Sequence, residues 1–296
     1  MKIVLCQPAI QRFKWELEVC VTRLQNLGYT DIVLLFAEVD VTIPKYFEDK
    51  FAAQVYTYTD DREYMQYQPS IKPWLWYKYL SENPEAEVGT YLYIDADVLL
   101  RDALDMSNLP ATPDTWYATD CGGYLDSKYV RQCERGNEIF MAMASIVGVS
   151  YDRLETMDGN VGGAQWVIVN PTAAYWHKVY LDTISIYKYF QTVDSNIQKW
   201  TAEMWAQLYN MYWFNIECKV SKELDMAWAT DPLEKWSQVK VYHNAGVTPD
   251  MIDMFYKGDY DGGRSPFDET LSHVNPTKCS IKYVEAIKEV KMTTNG

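Results

Sequence analysis

The segment YLYIDADVLL, residues 91–100, sets two aspartates, Asp95 and Asp97, inside an otherwise apolar run. Burying a carboxylate costs free energy unless something pairs with it. Read as a strand, the segment turns residues i and i+2 to one face, so Asp95 and Asp97 converge where the strand runs out. An acidic turn is the plain alternative, and the apolar Ile94 and Val98 on either side make it an expensive one. Two oxygen ligands at that spacing suit Mg²⁺ or Mn²⁺, with substrate phosphates completing the shell.

The flanking sequence supplies the context. KIVLC (2–6) reads as a short buried strand and DIVLLFAEV (31–39) as another. Between them, KWELEVCVTRLQNLG (14–28) spaces Trp15, Val19, Val21, Leu24 and Leu27 for a helix and ends on Gly28, a good residue just past a helix end. A β-α-β opening predicts a parallel sheet with helices on its faces, and such sheets bind ligands beyond the carboxyl ends of their strands. FAAQVYTYTDD (51–61) reads as a further strand and turn, and KPWLWYKYLSENP (72–84) as a helix with Pro73 in its first turn. TYLYIDADVLL (90–100) is then one more strand. WYATDCGGYLDSKYVRQCERGN (116–137) reads as a strand end and a mobile loop. EIFMAMASIVGV (138–149) reads as a helix, and DGNVGGAQWVIVN (158–170) as a glycine loop entering a strand. Residues 173–190 and 195–214 read as long aromatic-rich helices, VKVYHNAGV (239–247) as a late strand and loop, and 279–296 as a last helix with a frayed end. The simplest organisation is one α/β domain over 1–296, with halves at 1–105 and 106–260 and a C-terminal helix and tail at 261–296.

Composition narrows the function. The 296 residues are 48 % hydrophobic and carry a formal charge of −14, from 27 basic and 41 acidic side chains. This is a globular chain whose acidity argues against an extended nucleic-acid surface. The six cysteines include no CxxC pair, which excludes a zinc ribbon or thioredoxin motif. No run reaches the length of a transmembrane segment, and the expected compartment is the cytoplasm.

Two enzyme classes use an Asp-x-Asp pair in this setting. DADVL matches the nucleophile motif of haloacid-dehalogenase-like phosphohydrolases, with KGDYDGG (257–263) as a later Lys and acidic segment. In that class the nucleophile sits on the first strand, whereas here a β-α-β unit precedes it. The second match runs further along the chain. VGGAQW (161–166) resembles the Gly-Gly-x-Gln segment of family 8-like glycosyltransferases, and VYHNAG (241–246) resembles their late histidine motif. FYKG (255–258) supplies a following Lys, and TAEMWA (201–206) resembles the acidic helix on the acceptor side. With the Asp-x-Asp pair these matches stand in the right order across roughly residues 1–260. The chain thus resembles the GT-A, Asp-x-Asp-containing nucleotide-sugar glycosyltransferases, including glycosyltransferase-like proteins of phages and bacteria. It departs from them at Lys257, fourteen residues after His243 where the usual spacing is tighter, and at Val161, where a small polar residue is common.

The resemblance implies a GT-A-like α/β fold and a metal-dependent transfer of a monosaccharide from a nucleotide diphosphate sugar, a UDP-sugar first. It implies Asp95, Asp97 and His243 as ligands of Mn²⁺ or Mg²⁺, and Asp95, Gln7, Lys72 and Lys257 on the nucleotide and diphosphate. Gly163, Gln165 and Asp120 fall on the donor sugar, and Glu203 on the acceptor side. Residue chemistry agrees in several places. The absent Cβ of Gly163 allows close backbone approach, and an imidazole completes a mixed oxygen and nitrogen site. A carboxyl beside Trp200 and Trp205 is expected to be partly desolvated and raised in pKa, as an acceptor base needs, with an exposed helical glutamate as the plain alternative. His177, on a helix, and His273, in a polar tail, read as structural and solvated. The sequence leaves the acceptor open among a saccharide, a protein, a lipid and a modified nucleobase, with a lipid disfavoured by the lack of a membrane segment, and the expected setting is the host cytoplasm if the gene is a phage's. A non-catalytic sugar-binding protein, using the aromatics alone, is the remaining alternative.

Overall fold

The computed structural model describes residues 1–294. It opens β-α-β, as the sequence predicts, with β1 (Lys2–Pro8), α1 (Gln11–Asn26) and β2 (Ile32–Ala37). β1 and β2 are buried along almost their whole length, hence their unbroken apolar sequence. Helix α1 ends where expected, with Gly28 in the left-handed region at φ +86°. Helix α2 (Thr42–Phe51) follows, which the sequence reading passed over, although Ile43, Phe47 and Phe51 bury an i, i+4, i+8 stripe. Then come β3 (Gln54–Tyr58), α3 (Ile71–Glu82) and β4 (Thr90–Tyr93).

The continuous strand expected over 90–100 is broken at the aspartates. β4 pairs in parallel with β1, whereas β5 (Val98–Leu100) belongs to a second sheet. Asp95–Asp97 is the turn between them, closed by Val98 N–H donating to Asp95 O at 3.3 Å. Both halves are apolar because each enters a different buried sheet. The segment expected as a mobile loop also differs. After β6 (Thr115–Asp120) the chain forms α4 (Gly122–Leu125) and α5 (Ser127–Gln132), with Leu125 and Val130 buried and Asp126 capping Tyr129 N–H at 2.6 Å. Elements this short leave no periodicity to read.

The rest comprises α6 (Gly136–Val147), α7 (Tyr151–Glu155), β7 (Gly162–Val169), α8 (Ala173–Thr192), α9 (Ala202–Trp213) and β8 (Glu217–Val220). β9 (Met226–Trp228), α10 (Glu234–Gln238), β10 (Val241–His243) and α11 (Ser280–Thr294) complete it. The helix expected over 195–214 is shorter, a 3₁₀ turn at Lys199–Thr201 leading into α9. The frayed end at 295–296 lies outside the described residues. The main sheet has seven strands in the order β3-β2-β1-β4-β7-β6-β8, parallel except where β7 joins its two neighbours antiparallel. The small sheet, β5-β10-β9, stands beside it. One core lies on the α3, α8 and α9 side, where Trp76 and Trp176 stack 5.2 Å apart, and another on the α1 and α2 side.

Candidate active site

The two sheets meet at the Asp95–Asp97 turn, and their pairing brings His243 to it. β10 runs antiparallel to β5 with His243 opposite Val98, and Asn244 N–H donates to Asp97 O at 2.9 Å. His243 Nε2 thus lies 3.2 Å from Asp97 Oδ1 and 3.9 Å from Asp95 Oδ2. One ligand atom from each of the three residues falls within 4.8 Å of the others. The neighbouring strand fixes the ring plane: Trp228 of β9 stacks on His243 with centroids 5.8 Å apart and planes 13° from parallel.

Each carboxylate also meets one lysine. Lys72, in the first turn of α3, reaches Asp95 Oδ1 at 2.6 Å, and Lys257 pairs with Asp97 Oδ2. Burial works against the Asp97 charge, but Lys257 and His243 override it and hold the carboxyl well below the usual range. Burial likewise opposes the Lys72 charge, and Asp95 and then Glu203 outweigh it, so the ammonium is held above its usual range.

These groups line a cavity of about 620 Å³ at the carboxyl ends of the parallel strands. Gln7, Lys72, Asp95, Asp97, His243 and Lys257 all face it, as do Gly163 and Glu203. Glu203, on the first turn of α9, is only 5 % exposed. Burial pushes its carboxyl up to about 7, with Lys72 opposing and Asp95 adding to the shift. The structure places two other predicted residues outside the cavity lining. Gln165 is completely buried behind His243, and Asp120 is exposed at the end of β6, where its Oδ1 accepts from Gly122 N–H at 2.9 Å. Packing alone demands glycine at 163, because a Cβ there would lie 2.8 Å from both Cys121 Sγ and Met204 Cε.

Sequence reasoning missed a second charged group on the cavity wall. Arg12 and Glu16 of α1 pair at 3.0 Å, and Arg12 Nη1 reaches Asp261 at 2.8 Å, tying α1 to the turn that carries Lys257. Burial and the nearby Asp97 push Glu16 up to about 7, against Lys257 and Arg12. The signal was present: a glutamate beside Trp15 in the apolar stripe of α1, with an arginine four residues earlier.

Two carboxylates and an imidazole are a donor set for Mn²⁺ or Mg²⁺, and the cation would face an open cavity rather than a closed structural cage. No family model and no curated protein matches this sequence. Solved structures do. The galactosyltransferase LgtC, in complex with donor and acceptor sugar analogues, aligns with a TM-score of 0.50 at 14 % identity, over 98 % of this chain and 96 % of LgtC. An active-site mutant of LgtC aligns with a TM-score of 0.52 at 13 % identity, over the same shares. The fold is that of the GT-A glycosyltransferases. The bifunctional glycosyltransferase WbbM also aligns, with a TM-score of 0.50 at 8 % identity over 96 % of this chain; the chain spans 51 % of WbbM. The GT-A-like α/β fold expected from the sequence is therefore present, with an Asp-x-Asp turn in it. The dehalogenase alternative has no counterpart in this GT-A topology, where Asp95 follows the fourth strand rather than the first. No helix among the described residues is long and apolar enough to cross a membrane.

Proposed function

We propose that this chain is a metal-dependent glycosyltransferase moving a hexosyl unit from a nucleotide diphosphate sugar, a UDP-sugar first, to an acceptor hydroxyl. The observation that carries the reading is the Asp95–Asp97–His243 cluster, flanked by Lys72 and Lys257, in the cavity of a GT-A fold. Asp95, Asp97 and His243 would hold Mn²⁺ or Mg²⁺, which supplies Lewis-acid charge to a diphosphate when bound. Lys72 and Lys257 line the same cavity and would neutralise the charge that grows on the departing diphosphate. Gln7, near the end of β1, lines the cavity and would face the base. Gly163 would border the sugar from β7. Glu203 sits by Lys72 with its carboxyl raised to about 7, so it holds or releases a proton near neutrality. In an inverting reaction it takes the acceptor proton. In a retaining one, which the family 8-like motifs favour, the departing phosphate oxygen takes it.

The test is a screen of nucleotide sugars for release of the nucleotide diphosphate, with and without Mn²⁺ or Mg²⁺. Slow hydrolysis of one donor is expected, dependent on the metal, abolished in Asp97→Ala and at least about tenfold slower in Lys257→Met. Metal-independent release, or phosphate release from small phosphoesters instead, would contradict the reading.

A further inference from the structure

Gln165 of β7 and Thr119 of β6 stand in a buried row behind His243. The Gln165 amide nitrogen is 3.4 Å from His243 Nδ1, the ring nitrogen turned away from the aspartates, and Gln165 Oε1 is 2.6 Å from Thr119 Oγ1. Thr119 Oγ1 lies 2.8 Å from the Leu224 carbonyl oxygen as well. A hydroxyl has one hydrogen. It can donate to Gln165 Oε1 or to Leu224 O, not to both, and two oxygens at such distances with no hydrogen between them repel.

A half-turn of the amide exchanges its oxygen and nitrogen without changing its shape, so the surrounding hydrogen bonds decide its orientation. After the half-turn every contact is paired. Thr119 donates to Leu224 O, the Gln165 NH₂ donates to Thr119 Oγ1, and Gln165 Oε1 accepts Nδ1–H of His243. A proton on Nδ1 leaves Nε2 as the nitrogen that faces Asp95 and Asp97 and that offers its lone pair once a cation replaces any proton it shares with Asp97. The opposite orientation matches an amide N–H to a bare Nδ1, which places the proton on Nε2 and blocks ligation. The stacked Trp228 and the pairing of β10 with both its neighbours hold the ring in this setting.

We propose that Leu224 O, Thr119 and Gln165 form a fixed hydrogen-bond relay that keeps a proton on His243 Nδ1 and so prepares Nε2 for a divalent cation. Gln165 is then a positioning residue acting through His243, in place of the donor-sugar contact expected from the sequence. The inference rests on the metal reading proposed above.

The experiment measures Mn²⁺ affinity without nucleotide, from the electron paramagnetic resonance signal of free Mn²⁺, and the protonation of His243 by ¹⁵N-correlated NMR of the metal-free protein. The chain has only three histidines, and His243→Gln identifies the relevant signal. Two near-isosteric variants separate the orientations. Gln165→Glu, when ionised, can only accept a hydrogen bond, and Gln165→Met can do neither. The relay predicts that Gln165→Met weakens Mn²⁺ binding by roughly 10–100-fold, the usual effect of losing such a partner. It also predicts that Gln165→Glu binds as tightly as wild type or tighter, that Thr119→Val is weakened less than Gln165→Met, and that wild-type Nδ1 carries a proton. Equal weakening in the Glu and Met variants, unchanged affinity in a folded Met variant, or a bare Nδ1 in wild type would overturn it. If Gln165→Met does not fold, the Gln165→Glu affinity and the wild-type spectrum still decide. Absence of any Asp97-dependent Mn²⁺ binding in wild type would sink the metal reading separately. The spectrum would then judge the relay alone, with Nδ1–H supporting it and a bare Nδ1 rejecting it.

Discussion

Glu203 shows what this cavity demands of a single residue. Its carboxyl titrates near 7 in the folded chain, against an ordinary value of 4.5. Between those two values the folded state binds more protons than the unfolded state, so stability falls as pH rises through the window. The full cost, on the order of 3 kcal/mol, is present above pH 7. Glu203→Gln removes the ionisable group and keeps the shape. Melting scans should show the variant more stable than wild type at pH 8 and close to it at pH 4.5. Equal stability at pH 8 would mean that the carboxyl is not desolvated as described. A residue that destabilises the fold at neutral pH fits a place in the chemistry rather than in the packing. The sequence hinted at this, because Glu203 lies among Ala202, Trp205 and Ala206. Asp95 and Asp97 were more legible still, being two charges in an apolar run. Gln165 was legible only as part of a glycine-rich segment. Its contacts with Thr119, Leu224 O and His243 depend on residues far away along the chain.

At the level of elements, the β-α-β opening could be read directly, because period and length separate a helix such as α1 from strands buried on both faces. The break at Asp95–Asp97 could not. Whether an apolar run stays in one sheet or crosses to another depends on its partners, β1 for β4 and β10 for β5. That crossing builds the site, since it places His243 opposite Val98. The glycines of β7 record a second packing constraint. A Cβ on Gly162 would lie 2.6 Å from Ala118 Cβ and 2.7 Å from Cys218 Sγ, between β6 and β8. Gly162→Ala should therefore lose about 1–3 kcal/mol in urea unfolding, as overpacked positions do. A loss near zero would show that the three strands can part. The Arg12–Asp261 pair makes a different prediction. Asp261 is more than half exposed, so the pair adds little to stability. It does anchor the turn bearing Lys257 to α1. Asp261→Ala should leave the melting temperature nearly unchanged while the donor KM rises a few-fold. An unchanged KM would remove that anchoring role.

Across the whole molecule, function follows from where two sheets meet. The seven-stranded sheet ends its parallel strands at one edge, and the small sheet closes that edge with His243. α1 delivers Arg12 and Glu16 from one face of the sheet, and α3 and α9 deliver Lys72 and Glu203 from the other. Against an overall charge of −14, the two lysines set beside the aspartates make the cavity locally less acidic than the chain as a whole. Fold class was legible from element order alone. What the cavity admits was not, since its walls are assembled from segments far apart along the chain.

The central claim is that Asp95, Asp97 and His243 together hold one cation that serves a nucleotide diphosphate. The most direct measurement is the thermal shift of wild type and Asp97→Ala with UDP, with Mn²⁺, and with both. UDP and Mn²⁺ together should raise the wild-type melting temperature by more than the sum of their separate effects. The rise should reach roughly 5 °C when both are near a hundred times their dissociation constants. The excess should vanish in Asp97→Ala. Purely additive shifts in wild type, or a synergy that survives in Asp97→Ala, would mean that the three residues do not share one nucleotide-serving cation.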